Sequence, residues 1–513
     1  MRILKLHDNP PIIMNKLFIP LFLFVLMLLT MVFTSCSKEE NQNDVPNIIV
    51  ILADDLGVGD VGIYNISSTI PTPNINSLAK NGARFEDAHT NAAVCTPTRY
   101  GLLTGRYTWR SRLKSGVLNG FSIHLIESNR LTLASMLKAK GYYTGCVGKW
   151  HLGLDWVKTG DGPDQVDYTQ PIQNGPNSFG FDYFYGIAAS LDMSPYVYIE
   201  NDRVTQQPTE LKSRSEFPVF IREGVKAPDF NFEDAGFHLL EKAQNFIREN
   251  AKTENPFFLY FPLTSPHKPV IPAELVKGKT GLGPYGDFIM QTDILVGGIM
   301  QVLEEQGISD NTLFILTSDN GSFMYKLDDS LENDHVSDAS IQGYKPSHHR
   351  SSYIYRGTKA DIWEGGHRVP FIVRWPEKIK SATVIGQPIC ITDMMATLAE
   401  VVDYSLPEDA GEDSYSFWPL LSQESQYMAR PPILHHSSGG IFAMRDEKWK
   451  LVLGNGSGGR EKPRGEPWGE PYQLFDMEND PRESTNLHDE YPEVVEKLSN
   501  LTKRYIDQGH SCK

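Results

Sequence analysis

Four apolar runs, each ending at a polar cluster, organise the centre of the chain. Asn47-Ile48-Ile49-Val50-Ile51-Leu52-Ala53 stops at Asp54-Asp55, and Tyr143-Thr144-Gly145-Cys146-Val147-Gly148 stops at Lys149-Trp150-His151. Pro256–Phe261 leads to Ser265-Pro266-His267, and Thr312–Thr317 leads to Asp319-Asn320. Short continuous runs rich in β-formers predict strands covered on both faces. Helical periodicity lies between them, over Gly236–Ala251 and Phe288–Gln306. The alternation predicts an α/β fold with a large mixed, mostly parallel sheet between helices. Ligands of such sheets gather outside the carboxyl ends of the strands. All four polar clusters fall at that edge, so they are expected to form one site.

The pattern changes after about residue 428. Ile441–Arg445 and Trp449–Leu453 predict short antiparallel strands, Gly454–Gly459 is a glycine-rich loop, and Pro471–Asp476 predicts another strand. Tyr491–Tyr505 predicts a closing amphipathic helix. The expected organisation is a catalytic domain over 46–428 and a smaller C-terminal α+β subdomain over 429–513, with no internal repeat.

The N-terminus reads as an address. Leu17–Phe33 is almost wholly apolar and follows Lys16. It is short of the roughly 20 residues of a membrane span and suits an export signal. Its end, Phe33-Thr34-Ser35-Cys36, resembles a bacterial lipobox in which Cys36 is acylated, although Phe33 departs from the usual Leu. Ser37-Lys38-Glu39-Glu40 resembles the acidic export tags of surface lipoproteins. Residues 1–45 are therefore set apart as signal peptide and tether. The expected location is the cell envelope, lipid-anchored to the outer membrane at its surface or periplasmic face. Membrane contact is expected through the lipid alone.

Composition narrows the chemistry. The 513 residues are 40% hydrophobic and 22% charged, with a net charge of −16, a globular balance. The acidic excess argues against nucleic acid as the main partner. The five cysteines, Cys36, Cys95, Cys146, Cys390 and Cys512, are scattered and form no C-x-x-C pair. Neither a disulfide framework nor a zinc ribbon is implied.

The sharpest motif is Cys95-Thr96-Pro97-Thr98-Arg99, followed by Leu103-Thr104-Gly105-Arg106. Pro97 suits the first turn of a helix, and a helix N-terminus favours an anion. Asp54, Asp55, Asp319 and Asn320 supply hard oxygen donors, which suit Ca²⁺ or Mg²⁺ and not zinc. Gly148-Lys149-Trp150-His151-Leu152-Gly153, Ser265-Pro266-His267, and Arg356-Gly357-Thr358-Lys359 with Glu364-Gly365-Gly366 complete an ordered set. This set resembles the type I, formylglycine-dependent sulfatases of the alkaline phosphatase superfamily over about residues 46 to 375.

The resemblance implies that a maturation enzyme oxidises Cys95 to formylglycine. It also implies that Asp54, Asp55, Asp319 and Asn320, with residue 95, hold one divalent ion, Ca²⁺ ahead of Mg²⁺. A cation with Lys149, Lys359 and Arg99 would spread the charge of a sulfate ester. The substrate-binding set is thus expected to be Lys149, Lys359, His267 and Arg99. His267, beside Lys359, is the candidate proton donor to the leaving sugar oxygen, and His151 the candidate base, with an exchange of the two roles left open. The substrate is expected to be a sulfated carbohydrate from a polysaccharide, algal such as ulvan ahead of glycosaminoglycan or mucin. Two alternatives stand beside this reading: a phosphodiesterase or phosphonate hydrolase of the same superfamily, and a catalytically inactive lipid-anchored glycan-binding protein. The resemblance leaves the stretch 155–235, His348-His349-Arg350 and His435-His436 unexplained; they are expected to be loops, with sugar contact as the alternative for each.

Overall fold

In a computed structural model, residues 45–423 and 429–512 are described. The apolar leader, Cys36 and the expected domain boundary at residue 428 lie outside them. The four apolar runs become strands Asn47–Asp54, Tyr143–Lys149, Phe257–Pro266 and Thr312–Ser318. The Asn47 strand pairs in parallel with the Phe257 strand on one side and the Thr312 strand on the other, and the Tyr143 strand follows the Phe257 strand. Nearly every position in these strands is buried. Cover on both faces is why the apolar residues run on instead of alternating.

The sheet has ten strands. Tyr183–Ile187 continues it in parallel, and Ile199–Glu200 and Arg203–Val204 fold back antiparallel. On the opposite flank Phe371–Arg374 runs antiparallel to the Thr312 strand and to Ala83–Phe85, and Thr383–Ile385 closes the edge. The segment 155–235, expected as loop, therefore supplies three strands of this sheet and buries Tyr196, Tyr198 and Phe230. Elements of two to five residues are too short to show a period.

Helices Pro73–Lys80, Ala235–Asn250 and Gly283–Glu305 pack with one another, and Cys95–Thr104, Leu133–Ala139 and Met394–Val401 form a second group. Helix Gly283–Glu305 starts before the expected Phe288, because Pro284 in its first turn needs no amide partner there.

The C-terminal subdomain is a four-stranded antiparallel sheet of Ile433–His436, Phe442–Arg445, Trp449–Leu453 and Gln473–Asp476. The first of these, carrying His435-His436, was expected as a loop. Period-two alternation gives the sheet two apolar faces. Leu434, Met444, Leu451 and Leu474 pack on Leu498 and Tyr505 of helix Pro492–Gln508. Ala443, Val452 and Phe475 pack on Ile362 and Trp363. The small sheet is thus a buttress behind the segment that carries Lys359.

Candidate active site

Strand termini set the acidic residues. Asp319 N–H donates to the Ala53 carbonyl (3.0 Å), and Asp55 N–H donates to Asp319 Oδ1 (3.1 Å). Asn320 Nδ2 donates to Asp55 Oδ1 at 2.6 Å. The ends of two neighbouring strands are thereby stitched together, with Asp55 held at φ 70°, an uncommon conformation for a residue with a side chain. Gly321 lets the Glu364-Gly365-Gly366 segment approach: its N–H donates to the Gly366 carbonyl at 2.9 Å, and a Cβ there would stand 1.9 Å from the Gly365 oxygen.

Cys95 is the first residue of helix Cys95–Thr104, with Pro97 in the opening turn and Gly105 (φ 63°) closing it. The thiol therefore sits at the positive end of the helix. Its Sγ lies 3.3 Å from Lys359 Nζ and 3.7 Å from Asp54 Oδ1. Lys359 Nζ reaches both Asp55 oxygens (2.6 and 2.8 Å), and Lys149 Nζ reaches Asp54 Oδ2 (2.7 Å). Arg99 is fully buried: its guanidinium donates to Asp319 Oδ2 (2.7 and 3.1 Å) and to the Lys149 carbonyl (2.8 Å).

Ligand atoms of Asp54, Asp55, Cys95 and His267 lie within 4.8 Å of one another. Asn320 Oδ1 is a buried acceptor with no hydrogen-bond partner among the described residues. Buried carboxylates and an unsatisfied amide oxygen make a donor set that fits a hard divalent cation. Burial, opposed by Lys149, pushes the Asp54 carboxyl up to about 7. Burial works against the Asp319 charge too, but Arg99, Lys149 and Lys359 hold that carboxyl below its ordinary value. Burial, with Asp319 adding to it, pushes the Cys95 thiol up to about 12. As a thiol, Cys95 is protonated and a poor nucleophile.

These groups border a cavity of about 200 Å³ lined by Cys95, His151, His267 and Lys359. Lys149 and Arg99, expected as substrate clamps, do not line it; both face inward, onto the carboxylates. His151 donates from Nε2 to the Leu118 carbonyl (2.8 Å), and its buried Nδ1 has no partner among the described residues. His267 donates from Nδ1 to the Lys268 carbonyl (2.5 Å), leaving Nε2 at 3.7 Å from Asp55 Oδ2. Burial first, then Lys149 for His151 and Lys359 for His267, depress both imidazoles well below their ordinary value. Both are neutral, each with one nitrogen free of a strong partner.

The cavity wall also includes Asp192, Arg222, Lys268 and Arg460. Asp192 and Arg222 come from the 155–235 stretch and Arg460 from the end of the glycine-rich loop. No local pattern marks the first two. Lys268 adjoins the Ser265-Pro266-His267 motif and could have been flagged by position. His349 is elsewhere, buried with Nε2 on Asp60 Oδ1 at 2.8 Å, and His348 bonds Asp334. His435 and His436 are core residues of the small sheet.

Comparison with known proteins shows the family. The family described as Sulfatase matches residues 46–404, and that described as N-sulphoglucosamine sulphohydrolase, C-terminal, matches residues 358–508. An N-acetylgalactosamine-6-O-sulfatase of Bacteroides thetaiotaomicron is 34% identical, covering 90% of this chain and 94% of that protein. Human arylsulfatase A is 30% identical, covering 89% and 87%. Among solved structures, a B. thetaiotaomicron sulfatase described with glycosaminoglycan metabolism superposes with a TM-score of 0.78 at 33% identity, over 90% of this chain and 99% of that one. With the match running from the Asn47 strand through the Lys359 segment and on into the small sheet, the chain belongs to the sulfatase family and is a sulfuric ester hydrolase.

Proposed function

We propose that this sulfatase removes sulfate esters from carbohydrates through a formylglycine formed at Cys95, beside a divalent cation, Ca²⁺ ahead of Mg²⁺. The observation that carries it is Cys95 at a helix N-terminus, 3.3 Å from Lys359 Nζ, in a cavity walled by two neutral histidines. Asp54, Asp55 and Asn320, with Asp319 held behind them by Arg99, would hold the cation. That ion would draw negative charge from the sulfate oxygens. The hydrated aldehyde, once formed at position 95, would supply one hydroxyl as nucleophile toward sulfur and a second to expel sulfate and regenerate the aldehyde.

The remaining roles fall to the chain's own groups. Lys359 faces the sulfate directly. Lys149 and Arg99 act through Asp54 and Asp319, fixing where the carboxylates stand. His151 Nδ1 accepts the proton of the second hydroxyl. His267 Nε2 carries a proton to the leaving sugar oxygen; the entering sulfate's negative charge raises the proton affinity of this imidazole.

The N-acetylgalactosamine-6-O-sulfatase relative moves the favoured substrate from ulvan toward a 6-sulfated hexosamine of glycosaminoglycan or mucin type. Export and anchoring through Cys36, and maturation by a formylglycine-generating enzyme, complete the proposal. The test uses protein whose peptide mass confirms conversion at position 95, assayed on defined sulfated sugars and on an aryl phosphate diester. Sulfate release from sugars is expected. Faster cleavage of the diester would install the phosphodiesterase reading, and sugar binding without release would install the glycan-binding one.

A further inference from the structure

The reactive cavity is small beside pockets that enclose a whole ligand, so most of a sugar substrate lies against its rim. Asp192, Arg222, Lys268 and Arg460 line this same cavity beside Cys95 and Lys359. Asp192 is buried and takes the Arg222 guanidinium on Oδ2, while its Oδ1 has no hydrogen-bond partner among the described residues. Arg222 is therefore largely neutralised. Lys268 and Arg460 are not: neither has a carboxylate at ion-pair distance among the described residues. Lys268 Nζ rests 4.2 Å over the Phe220 ring, and Arg460 Nη1 donates to the Phe323 carbonyl at 3.2 Å.

Asp55 acts on Lys268 and Asp361 on Arg460, but neither carboxylate pairs directly with its cation, and two half-buried cations that converge without a direct counter-ion favour an anion that joins them. Burial, then Arg460 and Lys359, push the Lys268 ammonium down to about 8, which shows how closely these positive groups converge. The reacting sulfate already has Lys359 beside Cys95. The chain as a whole carries a net charge of −16, so a local positive excess is not a general property of its surface.

We infer that Lys268 and Arg460 form a second anion subsite, selecting sugars that carry a further acidic group, a carboxylate or a second sulfate, next to the ester being cleaved. Asp192 Oδ1 takes a hydroxyl of the same sugar and fixes Arg222 at the edge of this subsite. The inference rests on the carbohydrate sulfatase reading above and names the substrate class within it.

The experiment compares kcat/KM for N-acetylgalactosamine 6-sulfate with that for the same sugar bearing a second sulfate or a linked uronic acid. Conversion at position 95 is confirmed by mass in every preparation, and thermal unfolding confirms the fold of each variant. The ratio of the two values is expected to favour the better dianionic substrate about ten-fold in the wild type, equivalent to about 1.4 kcal/mol. It should fall with rising salt. Lys268→Gln and Arg460→Gln should each bring the ratio close to one, mainly through KM, and Lys268→Arg should keep it. A wild-type ratio near one overturns the inference while leaving the sulfatase reading standing. Equal loss on both substrates in the variants also overturns it, because the two cations would then grip the reacting sulfate itself. Release from none of these sugars overturns the carbohydrate reading and this subsite with it.

Discussion

Among the described residues two buried charge networks bear comparison: one lines the cavity at Cys95, and the other ties the small sheet to the large one. The first is the set at Cys95. The second, at the seam between the large sheet and the small one, joins His89, His367 and His435 to Asp87, Glu364, Glu483, Lys450, Arg368 and Arg445. Its ligand atoms also come close enough for a metal: those of the three histidines lie within 4.8 Å of one another. Yet its charges are matched. Lys450 Nζ meets Glu364 (3.0 Å), Glu483 (2.8 Å) and His367 Nε2 (2.9 Å), and Asp87 meets Arg368 (2.9 Å) and Arg445 (3.1 Å). His367 and His435 stack with centroids 4.1 Å apart and planes 15° apart. Two nearly parallel rings at that spacing cannot both point in-plane nitrogens at one ion. Buried charge by itself is therefore not a site. What distinguishes the Cys95 network is a helix end and a cavity lined by its own Cys95, His151, His267 and Lys359.

The sharpest way to break this contrast is to remove one member from each network. Cys95→Ala should lower turnover at least about a thousand-fold and move the melting temperature by no more than a few degrees. Full activity in that variant would remove the nucleophile. Lys450→Met should do the reverse. It strands Glu364 and Glu483 in the interior, costs about 3–5 kcal/mol of stability, and leaves a much lower melting temperature with near-normal kcat in whatever stays folded. A stable Lys450→Met protein would show that the seam network is not a structural tie.

Metal content sharpens the contrast next. One divalent ion per chain is expected by elemental analysis, lost together with activity in Asp319→Ala and retained in His367→Gln. Chelation should lower apparent stability by about 2–3 kcal/mol if the ion is near a hundred times its Kd. Two ions per chain would make the histidine seam a second metal centre.

The smallest effect is in pH. Burial, with Lys450 for His367 and His89 for His435, depresses those imidazoles, and burial brings His436 down to about 4. The unfolded chain binds protons that the folded one refuses. Their contribution is thus fully present above about pH 6.5 and declines below it, by about 1 kcal/mol per histidine one unit lower. Glu483 opposes this: burial pushes it up to about 7, so the folded chain keeps a proton that the unfolded chain releases between about 7 and 4.5. With His151 and His267 depressed in the same way and Asp54 raised like Glu483, these five buried histidines outnumber these two raised carboxyls, and the melting temperature should fall from pH 7 to 5.5. A flat profile over that interval would mean the imidazoles are not buried neutral.

Much of the Cys95 network was legible in sequence because each part ends a strongly apolar run or opens a helix. Asp54-Asp55, Lys149, His267 and Asp319-Asn320 stand at strand ends, and Cys95 is placed by Pro97 and Gly105. Residue type did not give direction: Lys149 and Arg99 read as hands for the sulfate, and in the fold both meet carboxylates, Asp54 and Asp319. A cation's direction depends on which anion is nearer after folding, and no spacing records that. Of the seam, the strands carrying Arg445 and Lys450 and the Glu364 motif were legible, but not their pairing. His435 looked like a loop residue, because a four-residue strand paired with Phe442–Arg445 has no periodicity of its own.

The sequence by itself determined the strand-and-helix order, the oxygen-rich edge and the position of Cys95 at a helix start, since these follow from local runs, turns and caps. Only the tertiary structure decided which charges face each other. Asp192, Arg222, Lys268 and Arg460 reach one cavity wall from separate segments, and Lys450 of the small sheet reaches Glu364 of the short helix Glu364–His367. A buried ion pair forms between residues far apart in the chain, and its strength depends on distance and solvent exclusion, which exist only once the sheets have packed.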